Sequence, residues 1–226
     1  MPLLLNIDTA TEHASVCLSN ESGVLLLKES QDQKNHGAFL QPAIQQIVLE
    51  TGIELEAIDA ISVTEGPGSY TGLRVGLASA KGLCYALQKP LIAINTLKVM
   101  ALAAINHQTY TSNTLFCPMI DARRMEVFTA IYDIHLHQIE APNAKILDSN
   151  SFEAIINQQP MVFSGSGSIK MQEILNHSNC YFSSVQHTAE HLSVLASQAF
   201  QAANFADLAY FEPFYLKAFY SPVAKK

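Results

Sequence analysis

The sequence predicts an α/β fold, and three features carry that prediction. An apolar opening runs into closely spaced turns, a glycine-rich stretch joins a short apolar strand to a long helical pattern, and strand-length and helix-length apolar segments then alternate. Of 226 residues, 49% are apolar and 15% charged, a balance that favours ordered folding and leaves little charged surface, pointing to a face covered by another protein. The length fits one large unit or two lobes, with a mild preference for two. With 20 acidic against 13 basic residues the net charge is −7. That argues against broad adhesion to nucleic-acid phosphates but leaves room for local basic spots.

In chain order, a strand is expected over Leu3 to Asp8, a turn over Thr9 to His13, a strand over Ala14 to Ser19, a turn near Asn20 to Gly23, and a strand through Leu27. A helix follows from about Gly37 to Thr51, with Leu40, Ile44, Ile47 and Val48 on its apolar face. Pro42 implies a late start or a kink, and Gly52 is the natural stop. Ala60 to Thr64 reads as a buried strand, and GPGSYTG, Gly66 to Gly72, feeds a helix through about Leu87. Pro90 resets the chain for Leu91 to Ile94, and a helical stretch covers Leu97 to Ile105. The polar segment His107 to Asn113 is the best internal boundary. Beyond it, strands are expected at Leu115 to Ile120, Val127 to Tyr132 and Met161 to Ser164. Helices are expected near Phe152 to Asn157, Ile169 to Asn176 and Glu190 to Asn204. No close internal repeat is visible, and the tail from Phe211 to Val223 mixes aromatics and prolines in a pattern suited to docking.

Cys17, Cys84, Cys117 and Cys180 are too far apart for a zinc knuckle or a CxxC pair and read as reduced, mostly buried thiols. The opening MPLLLNIDTATEH has no basic region before a long apolar run, so neither a signal peptide nor a membrane span is expected and the cytoplasm is the default.

Asp8 ends a strand ahead of the Thr9 to Thr11 hydroxyls, where a turn can present a carboxylate to a phosphate-linked metal, or where Asp8 and Thr9 simply cap a tight hairpin. Gly66, Gly68 and Gly72 allow close backbone approach, and Ser69 or Thr71 can cap the next helix. Such a loop can cradle an anion or merely place a surface, and it lacks the lysine of a phosphate loop. Gly72, Gly76 and Ala80 recur every four residues, which either seats the helix on its own sheet or lets a second helix approach. On the second alternative Gly76→Leu weakens assembly more than folding. Arg74 and Lys81 lie on another side and read as solvent charges, with Arg74 able to meet an acidic partner.

The eight histidines show no metal-ligand spacing, His135 and His137 could share a strand face, and Ser69 has no identifiable triad. DARRME, Asp121 to Glu126, reads first as an ion-paired turn, and FSGSGS, Phe163 to Ser168, as a backbone nest too common to establish ATP binding.

Taken together, IDTATEHASVCL from Ile7, GPGSYTGLRVGLASAKGL from Gly66 and PMIDARRMEVF from Pro118 resemble the bacterial TsaB family, also called YeaZ, with weaker agreement over Pro213 to Lys217. The resemblance implies a two-lobed actin-like ATPase (ribonuclease H-like) fold. Its N-terminal lobe would span 1–106 and carry the partner interface at Gly72, Arg74, Gly76, Ala80 and Lys81, and its C-terminal lobe would span 107–226, with the final segment packing back on the first. It also implies a non-catalytic partner of a TsaD-like catalytic subunit, joined by a TsaE-like ATPase. That machinery places threonylcarbamoyl on the adenosine next to the anticodon of tRNAs reading A-starting codons.

On the same resemblance ATP or ADP and the catalytic metal belong to the partner complex, tRNA is met through that complex, and a homodimer is a further assembly. Thr96 and Met100 stand where TsaD carries a histidine pair, a departure that points to lost metal chemistry. The competing function is a self-contained actin-like ATPase or phosphotransferase using Asp8, the Gly66 to Gly72 loop and the FSGSG nest. An older peptidase association is a third.

Overall fold

The computed structural model describes residues 1–30, 32 and 35–217. Its first part runs β1 (Leu4–Asp8), β2 (Ala14–Asn20), β3 (Gly23–Ser30), α1 (His36–Thr51), β4 (Ala60–Gly66), α2 (Tyr70–Leu87), β5 (Leu91–Asn95) and α3 (Thr96–His107). The second runs β6 (Leu115–Asp121), β7 (Glu126–Tyr132), β8 (Gln138–Ile146), α4 (Glu153–Ile156), β9 (Met161–Ser164), α5 (Ser168–Ile174), β10 (Cys180–Ser183) and α6 (Ala189–Gln201).

The strands form two five-stranded sheets, ordered β3-β2-β1-β4-β5 and β10-β9-β6-β7-β8. In each, three strands meander antiparallel and two more join the first in parallel through crossovers. The two sheets therefore share one topology.

Central strands are buried along nearly their whole length because both faces are covered. All five residues of β1 are buried, and its one amide, Asn6, is satisfied across the sheet: it donates to Ser19 Oγ at 2.8 Å and accepts from Ser62 Oγ at 2.7 Å. Helix α1 buries Leu40, Ala43, Ile44 and Ile47 and carries Pro42 inside it on the exposed side, so it neither starts late nor stops there. It ends where Gly52 turns left-handed (φ 66°) and its N–H bonds the Val48 carbonyl at 2.9 Å.

Two strands escaped sequence prediction. Strand β8 contains Pro142 and lies at a sheet edge, where a missing N–H is tolerated, and β10 is only four residues long. The expectation of His135 and His137 on a strand face is corrected: both lie in the turn between β7 and β8, where His137 Nδ1 sits 2.8 Å from Asp133 Oδ2.

Helix α3 lies between the sheets. Leu97, Met100 and Ala104 pack with Phe116 and Ile120 of β6, while Val99 and Leu102 meet Leu192 and Leu195 of α6. Helix α6 lies on the first sheet, with Ala196 and Ala199 against Leu4, Ala60 and Ile92. After it the chain runs back along that lobe. Ala206 N bonds the Leu91 carbonyl at 2.8 Å, Lys81 Nζ bonds the Ala209 and Phe211 carbonyls at 3.3 and 3.2 Å, and Phe214 N bonds the Glu65 carbonyl at 2.8 Å. Residues 218–223 of the expected docking tail lie outside the described residues. No helix among the described residues is long and apolar enough to cross a membrane.

Candidate functional site: the inter-lobe clefts and the outer face of the second helix

The residues singled out by sequence meet where the β1–β2 turn abuts the start of α2. Asp8, at the end of β1, is fully buried. Its Oδ1 accepts from Ala10 N at 3.1 Å and Thr64 Oγ1 at 2.9 Å, and its Oδ2 lies 3.2 Å from His187 Nε2 without hydrogen-bond alignment. Burial alone would push this carboxyl up, but the adjacent His187 and the two donors outweigh it and hold the pKa below the usual value of 3.8. Asp8 thus ties β1 to β4 and to the approach to α6.

The glycines beside it have one physical cause. A side chain at Gly68 would run into the Ala10 carbonyl, one at Gly72 into the Thr9 carbonyl, and one at Gly76 into Thr9 Oγ1. The contact is fastened by Ser69 N donating to the Ala10 carbonyl at 2.7 Å and Thr9 Oγ1 donating to the Gly72 carbonyl at 2.7 Å. Ser69 also caps α2, its Oγ accepting from Gly72 N at 3.2 Å. Gly66 turns at φ 116° beneath the Phe214 carbonyl. The loop is a backbone joint whose space is filled by the chain itself.

The expected interface residues divide in two. Gly72, Gly76 and Ala80 are buried, with Gly76 facing Thr9, Ile7 and Val63, so the expectation that this stripe is open to a partner is corrected: it seats α2 on its own sheet. Arg74 lies 4.0 Å over the Tyr70 ring and donates to the Tyr215 hydroxyl at 3.2 Å, and Lys81 holds the returning chain, so neither is a plain solvent charge. Sequence reasoning missed a second stripe on the same helix. Ala78, Gly82 and Ala86 also recur every four residues, all exposed, beside Tyr85 at 75% exposure. A side chain at Gly82 would meet nothing within 4 Å. The signal was in the sequence, but spacing alone does not say which stripe faces out.

Two clefts open between the lobes. One of about 520 Å³ is lined by Thr11, His13, Met100, Ser166, Phe182 and His187. The other, about 630 Å³, lies between the Pro67 to Thr71 loop, the β6–β7 hairpin and Phe214 to Lys217. The FSGSGS nest borders the first, but Gly167 N is taken by the Met119 carbonyl and Ser168 N and Oγ by the Gly165 carbonyl. In the DARRME turn the carboxylates pair with distant lysines, Asp121 with Lys170 at 2.7 Å and Glu126 with Lys217 at 2.6 Å, and not with the arginines.

The residues present do not fit a catalytic metal. Thr96 is buried with its Oγ1 accepting from Gly66 N at 3.1 Å, and Met100 is buried in the core under α3. His36 Nε2 lies 2.8 Å from the Thr11 carbonyl. No group of three or more metal-binding side chains occurs among the described residues. Burial pushes the Cys17, Cys84 and Cys117 thiols up to about 12, which keeps them protonated and poor nucleophiles.

Residues 28–223 match the family model of TsaD, tRNA N6-adenosine threonylcarbamoyltransferase. The tRNA threonylcarbamoyladenosine biosynthesis protein TsaB of Bacillus subtilis (strain 168) is 28% identical over 165 residues, 72% of this chain and 70% of that protein. TsaB of Escherichia coli (strain K12) is 36% identical over 57% of this chain, and the match spans only 54% of that relative. The solved structure of YeaZ from Pseudomonas aeruginosa superposes with a TM-score of 0.80 at 26% identity, covering 96% of this chain and 100% of that one. The chain belongs to the TsaD family, on its TsaB/YeaZ branch. Its fold is accordingly the actin-like, ribonuclease H-like one. In this chain the buried stripe of α2 packs on its own sheet, and the second stripe is exposed.

Proposed function

We propose that this chain takes part in the synthesis of threonylcarbamoyladenosine on tRNA as a non-catalytic partner, docking a TsaD-like catalytic subunit through the outer face of α2. Support comes first from the TsaB relatives, which are named for that biosynthesis. The observation that carries the docking role is Gly82. A glycine inside a helix costs about 0.5–1 kcal/mol relative to alanine, and here no neighbour requires it. Flanked by Ala78 and Ala86, it lets a foreign helix approach the backbone closely. In the working complex the TsaD-like subunit supplies metal and nucleotide chemistry, a TsaE-like ATPase joins it, and the cytoplasm is where they meet tRNA. The same face serves a homodimer when the catalytic subunit is absent.

The isolated-ATPase alternative has less support, because Asp8 is enclosed and the Gly66 to Gly72 loop is filled by the carbonyls of Thr9 and Ala10. The test is Gly82→Leu. Circular dichroism should show an unchanged fold, while calorimetry with the TsaD-like subunit shows assembly weakened at least about tenfold, a typical cost of blocking an interface centre. Nucleoside mass spectrometry of the reconstituted reaction should report a matching loss of product. Undiminished assembly by this variant would sink the proposed face, and full product with the chain omitted would sink the role.

A further inference from the structure

The larger inter-lobe cleft has a wall the proposed docking role leaves unused. Two neighbouring residues of the β6–β7 turn are left-handed, Arg123 at φ 72° and Arg124 at φ 50°. Left-handed positions are taken with least strain by glycine and, after it, asparagine. Here arginines stand at both, exposed, with Arg123 lining the cleft and Arg124 next to it in the chain. The neighbouring carboxylates are occupied: Asp121 accepts from Lys170 Nζ at 2.7 Å and from Arg123 N at 2.6 Å, and Glu126 from Lys217 at 2.6 Å. Neither guanidinium has an ion-pair partner among the described residues.

Across the cleft stands an aromatic wall. The rings of Tyr70 and Tyr215 lie 5.4 Å apart, and both residues line the cleft. Arg74 fixes the pair, lying 4.0 Å over one ring and bonding the hydroxyl of the other at 3.2 Å. Glu12, on the same cleft, adds a carboxylate that accepts from hydroxyl or amine groups and repels phosphate, so phosphate is directed to the arginine side. A volume of about 630 Å³ suits a small ligand.

Two cations outside, an aromatic face inside and a hydroxyl acceptor opposite match the three parts of a nucleotide unit: phosphate, base and ribose. We propose that this cleft receives one unpaired nucleotide of a tRNA loop, its base on the Tyr70–Tyr215 wall and successive phosphates on Arg123 and Arg124. The proposal rests on the reading that the chain works on tRNA, and gives it a direct contact there. RNA is favoured over a free nucleotide because only Arg123 of the two exposed arginines lines the cleft, so that a chain of successive phosphates is needed to reach both, while Glu12 opposes a triphosphate inside. With a net charge of −7 the remaining surface repels a polyanion, so contact is confined to this rim.

The decisive variant is Arg123→Asn with Arg124→Gly, which removes both charges while placing at the two left-handed positions residues that adopt that backbone readily, and circular dichroism of the variant checks that the hairpin is kept. The probe is a fluorescent anticodon stem-loop RNA, titrated by anisotropy at several salt concentrations. The double variant should bind about tenfold more weakly, with a salt slope smaller by about 1.4, since each single-strand phosphate neutralised contributes about 0.7. Ultraviolet cross-linking should place a loop nucleotide on Tyr70 or Tyr215. Unchanged binding by the double variant, equal binding of a base-paired RNA, or no binding by the wild-type chain alone or assembled would each overturn the proposal. So would arginine-dependent binding of ATP in place of RNA. The two readings fail separately: the double variant should still assemble with the TsaD-like subunit, and Gly82→Leu as a free chain should still bind the RNA.

Discussion

The two lobes are built to one plan and use it in opposite ways. Each begins with a central strand ending in aspartate, Asp8 and Asp121, and in each the fourth strand leads into a glycine of positive φ, Gly66 at 116° and Gly165 at 84°. In the first lobe the hairpin turn folds inward, its carbonyls pressed onto Gly68 and Gly72, and Asp8 is sealed beneath it. In the second the turn carries its two left-handed arginines exposed, and Asp121 lies at the surface beside Lys170. Topology places an aspartate at the end of the first strand in both lobes. What the following turn lays over it decides whether it is an internal strut or a surface group.

The sharpest way to break this contrast is to fill the joint of the first lobe. Gly76→Leu must displace Thr9 and press on Ile7 and Val63, all on central strands or their turn, so a loss of about 3 kcal/mol, the upper end of the usual cost of overpacking, is expected. Chemical denaturation would measure it. A stable, folded Gly76→Leu that fails only in assembly would restore the stripe to the surface. The misplacement has a physical source. Four-residue spacing shows that Gly72, Gly76 and Ala80 share a face, as do Ala78, Gly82 and Ala86, but only the sheet beneath decides which face is inside.

The opening hairpin, the β4–α2 junction and α6 were legible because long periodic runs end in strong stop signals. Strand β8 was not, since Pro142 and Asn143 break its alternation, and the four residues of β10 are too few to show a period. Of the site, the Gly66 to Gly72 loop was visible, while the Asp8–His187 contact, spanning almost the whole chain, was not.

Next in size is the pair of aspartates. Asp8→Asn keeps the acceptor for Ala10 N and Thr64 but removes the carboxylate facing His187, and should cost about 2 kcal/mol, within the range for leaving a buried polar group without its partner. Asp121→Asn loosens a half-exposed pair with Lys170 and should cost under about 1 kcal/mol. The pH dependence separates them further. The folded pKa of Asp8 is depressed below 3.8, so its ionised form stabilises the fold above that value and the contribution is lost as pH falls through the folded pKa. Asp8→Asn should therefore flatten the acid limb of a stability curve below about pH 4. Asp121 is depressed too, burial raising it and Lys170 and Arg123 N–H lowering it further, but screening makes its share small. Equal losses for both variants would mean that the turn over Asp8 does not seal it.

The smallest effect tests the second lobe's turn as a structural element in its own right. A non-glycine residue held left-handed costs about 1–2 kcal/mol, and two stand side by side at Arg123 and Arg124. Asn-Gly relieves most of this, while the glycine adds about 1 kcal/mol of unfolded-state freedom, so the exchange should leave a net gain of about 1 kcal/mol. In a chain of 226 residues that raises Tm by roughly 2–4 °C, within reach of scanning calorimetry. No comparable gain is open to the first lobe, where Thr9 donates to the Gly72 carbonyl and Ala10 is wholly buried, so each turn residue already serves the joint. A rise in Tm would mean that the arginines are kept against the preference of the fold, as a binding role requires. A fall would mean that they brace the second lobe as Thr9 and Ala10 brace the first, and the contrast between the lobes would close.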